Sequence, residues 1–125
     1  MGVLDRRFAS PTPADPALPD VLVDPMLNQT RVNLTNFYDR GEAIRLPANP
    51  QRRQIIIAIE IAGTGASVSG CAIDDGITFK VATGEVLDDA VSTRDFVATM
   101  RQAGGVWKIE SRQTSNTKPG VVPCA

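Results

Sequence analysis

Two textures of hydrophobic patterning divide the chain. From Gly41 onward, short apolar or alternating runs are separated by glycine, aspartate and proline turns. The densest run is Leu46 to Ile61, reading LPANPQRRQIIIAIEI, where Pro47, Pro50 and the pair Arg52–Arg53 precede Ile55, Ile56, Ile57, Ala58, Ile59 and Ile61. Branching at Cβ stiffens these side chains and suits a pleated surface, so the run predicts a strand. Apolar groups at both odd and even positions predict that both faces are covered, which makes this the central strand of the domain.

Weaker signals of the same kind lie on either side. Ala43 to Leu46 is a short strand stopped by Pro47, and Ala66 to Ile73 is a small-residue strand in which Gly70 marks a bulge or a close backbone approach. Ile77, Phe79 and Val81 alternate with Thr78 and Lys80, as in a half-buried strand. Glu85 to Leu87 follows Thr83–Gly84, and Phe96 to Met100 reads as a strand, with a single helical turn as its alternative. Ala103-Gly104-Gly105 is a hairpin turn into Val106 to Arg112, with Trp107 and Ile109 inward and Lys108 and Glu110 outward. Together these predict an all-β domain over residues 44–114, an antiparallel β-sandwich (jelly-roll-like) of about seven strands.

Residues 1–43 read differently. Five of the nine prolines fall between Pro11 and Pro25, in SPTPADPALPDVLVDP. Proline at that density fixes φ and removes amide donors, predicting an extended, polyproline-like segment. Beyond it, Asn28 to Tyr38 offers a short strand at Arg31 to Leu34 and the aromatic pair Phe37 and Tyr38. The plain reading of residues 1–43 is a disordered tail. The alternative is an arm on a neighbouring subunit, and the interspersed apolar residues favour it. Ordering a backbone costs about 1–2 kcal/mol per residue, which a segment without its own core recovers only by burying apolar area on something else. Residues 115–125, with Pro119 and Pro123, read as a second extended tail.

Composition narrows the chemistry. With 13 basic and 14 acidic residues the formal charge is −1, and no block of like charge marks a nucleic-acid or membrane surface. No apolar segment has the length of a signal peptide core or a membrane span, so the expectation is a soluble protein made in the cytosol or released by lysis. The chain has no histidine, which removes the usual general base and the commonest metal ligand. Asp74–Asp75 and Asp88–Asp89 fall at turns without calcium-loop spacing. Gly63-Thr64-Gly65 lacks the lysine and helix of a phosphate loop. Ser67, Ser69 and Cys71 have no base beside them in the sequence. The sequons at Asn28 and Asn33 carry no secretory signal with them and read as chance. Cys71, in an apolar-alternating run, reads as a buried thiol; Cys124 reads as accessible, with a bridge between subunits the alternative in an oxidising setting. Arg52–Arg53 reads as a solvated strand entry or a cap, or else as a contact for a partner's phosphate or carboxylate. These residues predict no enzyme, no cofactor and no metal.

The stretch from about Leu46 to Thr114 resembles a β-sandwich of tailed-bacteriophage virion proteins, of the capsid decoration (cement) or fibre-associated type. The pieces that carry the resemblance are Ala48-Asn49-Pro50-Gln51-Arg52-Arg53 with Gln54 to Ile59, then Gly76-Ile77-Thr78-Phe79 with Gly84-Glu85-Val86-Leu87, then Gly105-Val106-Trp107-Lys108-Ile109-Glu110. The resemblance implies a non-enzymatic, often multimeric assembly component. On that reading the protein is a capsid decoration protein of the virion, assembled in the host cytoplasm, whose partners are the major capsid protein or other virion proteins. Its N-terminal arm then clamps neighbouring subunits through Phe8, Leu18, Val21, Leu22, Val23 and Met26, with Arg6 and Arg7 pairing across the seam. A neck or tail adaptor, or a fibre anchor, is the alternative within the same setting. A carbohydrate- or peptide-binding sandwich is the alternative of another class; it wants exposed aromatic residues, and Tyr38 and Trp107 are the polar-tipped ones on offer.

Overall fold

The computed structural model describes residues 8, 9, 11 and 15–124. Seven strands follow one helix: α1 (Met26–Arg40), β1 (Glu42–Arg45), β2 (Arg53–Ala62), β3 (Gly65–Asp74), β4 (Ile77–Lys80), β5 (Val86–Asp88), β6 (Ser92–Ala103) and β7 (Val106–Pro119). They form two antiparallel sheets, one of four strands in the order β2-β3-β6-β7 and one of three in the order β1-β4-β5. The body is thus a small all-β, sandwich-like fold that carries helix α1 ahead of its strands. The strands lie where the turn signals put them, with β6 and β7 running longer. Ser115–Pro119, expected in an extended tail, pair with Ser92–Asp95 as the end of β7.

The leader corrects the picture of a free arm. Residues 26–40 are helical, including Arg31 to Leu34, which were expected to be a strand. Asp24 Oδ1 accepts the Asn28 amide at 3.0 Å at the start of α1, and Gly41 ends it in the left-handed conformation, donating its N–H to the Phe37 and Tyr38 carbonyls. Leu27, Thr30, Leu34 and Phe37 recur at helical spacing, and Thr30 and Leu34 are buried. Ahead of the helix, a single 3-10 turn, Leu18–Asp20, buries Leu18 completely. Leu18, Leu22 and Leu34 form a core cluster that Phe8, Val21, Met26, Leu27 and Ile109 pack against. Phe8 meets Phe37 edge to face, with ring centroids 5.1 Å apart.

Backbone bonds complete this docking. Leu22 bridges in parallel to Ile109, with Val23 N–H donating to the Ile109 carbonyl and Ile109 N–H to the Val21 carbonyl. Lys108 Nζ donates to the Pro19 carbonyl at 2.7 Å. The leader therefore pairs with the outer edge of β7 at Ile109. Burial of Leu18 and Leu22, with the residues packed around them, meets part of the ordering cost within the chain itself.

The isoleucine strand corrects a second expectation. β2 is an edge of the four-stranded sheet, and all ten of its residues are exposed. A bulge at Ile57 breaks its register with β3, where Ile56 faces Gly70 and Ala58 faces Ser69. At this point Gly70 is required for close approach: a Cβ there would overlap the Ile55 carbonyl oxygen. Cys71, expected as a free thiol, forms a disulfide with Cys124, the Cα atoms being 5.9 Å apart. The bridge holds the C-terminal segment across the face of β3 opposite α1. Thr93 Oγ1 there donates to the Gly120 carbonyl and accepts the Val122 amide.

Two outcomes test this arrangement. Leu22→Ala is expected to lower unfolding stability in urea by ~2–5 kcal/mol, because it leaves a cavity between the leader, α1 and β7. A leader that docked only on a neighbour would leave that stability unchanged. Replacing both cysteines by serine frees a loop closed across 53 residues of separation. The expected loss is about 4 kcal/mol, read as a lower urea midpoint.

Candidate functional site

Two features of the four-stranded sheet are unexplained by core packing. The first is its helix-facing surface. Cross-strand register places Gln54, Ile56 and Ile59 of β2, Val68 and Ala72 of β3, and Arg94, Phe96, Ala98 and Met100 of β6 on one face. A bulge between Thr99 and Met100 brings both Ile109 and Arg112 of β7 to that same face. α1 crosses only part of it, leaving a cleft of about 520 Å³ bordered by Gln29, Thr30 and Asn33 of the helix.

The electrostatics of this cleft are one-sided. Arg52, Arg53, Arg94 and Arg112 line it, and Asp74 is the acid among the lining residues. Arg52 Nη2 lies 2.8 Å from Asp74 Oδ1, and Arg94 Nη2 lies 3.9 Å from Asp74 Oδ2. Asp74 Oδ1 also accepts the Gly76 amide at 3.0 Å. One carboxylate is therefore shared between two guanidinium groups and a backbone amide. Arg112 stacks over the Phe96 ring at 4.8 Å. Arg94 Nε is buried and has no hydrogen-bond acceptor among the described residues. Guanidinium groups held in this way form a ready site for a planar or tetrahedral oxyanion.

A second hollow of about 250 Å³ continues along the same face and shares Gln54 and Arg112 with the first. Ile56, Val68, Phe96, Ala98, Met100 and Ile109 make its walls. The concave face thus grades from arginine-rich under α1 to aliphatic and aromatic away from it.

The other feature is the open edge of β2. Ile57, Ile59 and Ile61 are 58%, 59% and 67% exposed, and Ile55 and Ile56 are exposed as well. Among the described residues no strand pairs with the outer side of β2. The opposite edge of the sheet, β7, has the leader against it.

The residues expected to clamp a neighbour are distributed otherwise. Phe8, Leu18, Val21, Leu22 and Met26 pack in the molecule's own core cluster, Val23 bonds to β7 through its backbone, and Arg6 and Arg7 lie outside the described residues. Arg52 and Arg53, read from the sequence as a strand entry or a partner contact, do border the cleft. Arg94 and Arg112 were not singled out. The available signal was phase: Arg94 lies two residues before Phe96, in step with Ala98 and Met100. The phase of Arg112 was hidden by the bulge in β7. Among the described residues no group of three or more His, Cys, Asp or Glu side chains is placed to hold a metal ion.

Comparison with known proteins bears on the fold alone. No family model matches the chain, and no curated protein matches it. Among solved structures, it is similar to the crystal structure of the intermembrane space region of the chloroplast protein ARC6. The TM-score is 0.72 at 15% identity, over 90% of this chain and 85% of that one.

Proposed function

We propose that this chain is a non-enzymatic assembly module that pairs with a second copy of itself through the open edge of β2. The observation that carries the proposal is a ten-residue edge strand, exposed along its length, bearing five isoleucines and neither proline nor lysine. Edge strands of monomeric proteins are normally short, charged or covered, because a bare edge is a template for another chain. Here one edge is bridged by the leader at Ile109 and the other is left aliphatic.

The strand is also complementary to its own reverse. Paired antiparallel about a two-fold axis between Ile56 and Ile57, each Arg53 stands opposite the second copy's Glu60. Gln54 then faces Ile59, and Ile55 faces Ala58. In an unbulged strand Arg53 and Glu60 would point to opposite faces, being seven positions apart. The bulge at Ile57 returns them to one face, since Arg53 registers with Ile73 and Glu60 with Ser67 on alternate positions of β3. Such an isologous contact closes on itself and stops at the dimer. The intrachain disulfide favours an oxidising setting, such as an extracytoplasmic space or the outside of a particle. A role in a virion, implied by the sequence resemblance, fits this proposal with β2 in place of the leader as the contact surface.

Sedimentation equilibrium of the purified chain is expected to show a dimer. Arg53→Glu and Glu60→Arg should each weaken association roughly tenfold, as like charges then face one another, and the double reversal should restore it. A monomer at every accessible concentration, or a double variant no tighter than the singles, would overturn the proposal.

A further inference from the structure

We infer that the concave face is a binding site for an amphipathic anion, a carboxylate or phosphate group carried on an aliphatic tail. The inference stands independently of pairing through β2. It rests on two adjoining hollows of opposite character. The larger, about 520 Å³, presents Arg52, Arg94 and Arg112 with Asp74 against them. The smaller, about 250 Å³, adjoins it at Gln54 and Arg112 and is otherwise walled by aliphatic and aromatic side chains.

Charge decides what the larger hollow accepts. Asp74 faces Arg52 at 2.8 Å and Arg94 at 3.9 Å and is the acid among the residues that line this arginine-rich hollow. Arg94 adds a buried Nε–H with no acceptor among the described residues. The guanidinium groups that line the cleft are the groups that would donate charge-assisted bonds to an oxyanion held there. Thr30 and Asn33 of α1 offer hydroxyl and amide donors on the opposite wall. A small inorganic anion would satisfy these groups yet leave the adjoining apolar walls wet. An aliphatic tail covers them, and each methylene buried contributes about 0.8 kcal/mol. Head and tail together match the gradation of the surface.

The test uses the full, disulfide-bonded chain, labelled for NMR, titrated with dodecanoate, dodecyl phosphate, dodecanol and inorganic phosphate, each below its aggregation limit. Dodecanoate or dodecyl phosphate is expected to shift the Arg94 Nε–H and Met100 methyl signals together and saturably. The tighter of the two identifies the head group. Arg94→Gln should weaken that binding about tenfold or more. Ala98→Leu, which fills the tail groove without touching the charges, should weaken the amphiphiles while leaving inorganic phosphate at the arginines unaffected. The inference is overturned if neither amphiphile shifts both signals, if dodecanol binds as tightly as dodecanoate, or if both variants bind like the parent.

Discussion

An antiparallel sheet ends in two rows of backbone groups that must find partners, and the way this chain treats its two rows governs the rest of the molecule. On β7 the leader supplies the partner. Val21 and Val23 exchange backbone bonds with Ile109 while Leu18 and Leu22 drive themselves under α1 beside Leu34. Hydrogen bonding fixes the register of that closure, and burial of the leucines supplies its free energy. On β2 nothing comparable occurs among the described residues, although its side chains are among the most apolar in the chain. The asymmetry follows from where the leader begins: it precedes α1, and α1 delivers the chain to the other sheet at β1, away from β2.

Closing the β7 edge also creates the cleft. With Met26 and Leu27 packed beside Ile109, α1 borders a hollow that Arg52, Arg94 and Arg112 also line. The opposite face is treated differently, for there the Cys71–Cys124 bridge and the Thr93 hydroxyl hold residues 120–122 against the strands. The C-terminal segment is thus tied to one face at Cys71 and Thr93, and α1 roofs part of the other. That makes the concave face the recessed surface on which a ligand can be enclosed.

Much of the β architecture was legible in the sequence. Turn residues at Gly63, Gly84 and Gly104–Gly105 delimit strands accurately because each connection is short and each of these glycines takes a positive φ. Helix α1 was not legible for two reasons. Asn28, Thr30, Asn33, Thr35 and Asn36 are weak helix formers, and the prolines upstream suggested extension throughout. The helical signal was nonetheless present in the spacing of Leu27, Leu34 and Phe37 and in Arg40–Gly41 at its end. The isoleucine run misled differently. Its composition identified a strand, but burial depends on which neighbours arrive, and composition does not report that. The site was half visible: Arg52–Arg53 stood out as a doublet, whereas Arg94 and Arg112 converge only through strand register and a bulge.

The account turns on β2 being an unsatisfied edge that a second copy completes. Amide hydrogen exchange across Gln54–Ile61, followed as a function of protein concentration, tests this most directly. The account predicts that the amides not bonded to β3 exchange fast in dilute solution and become protected as concentration rises, with β7 amides unaffected. Fast exchange of those amides at all concentrations, or protection already complete in the isolated monomer, would contradict it.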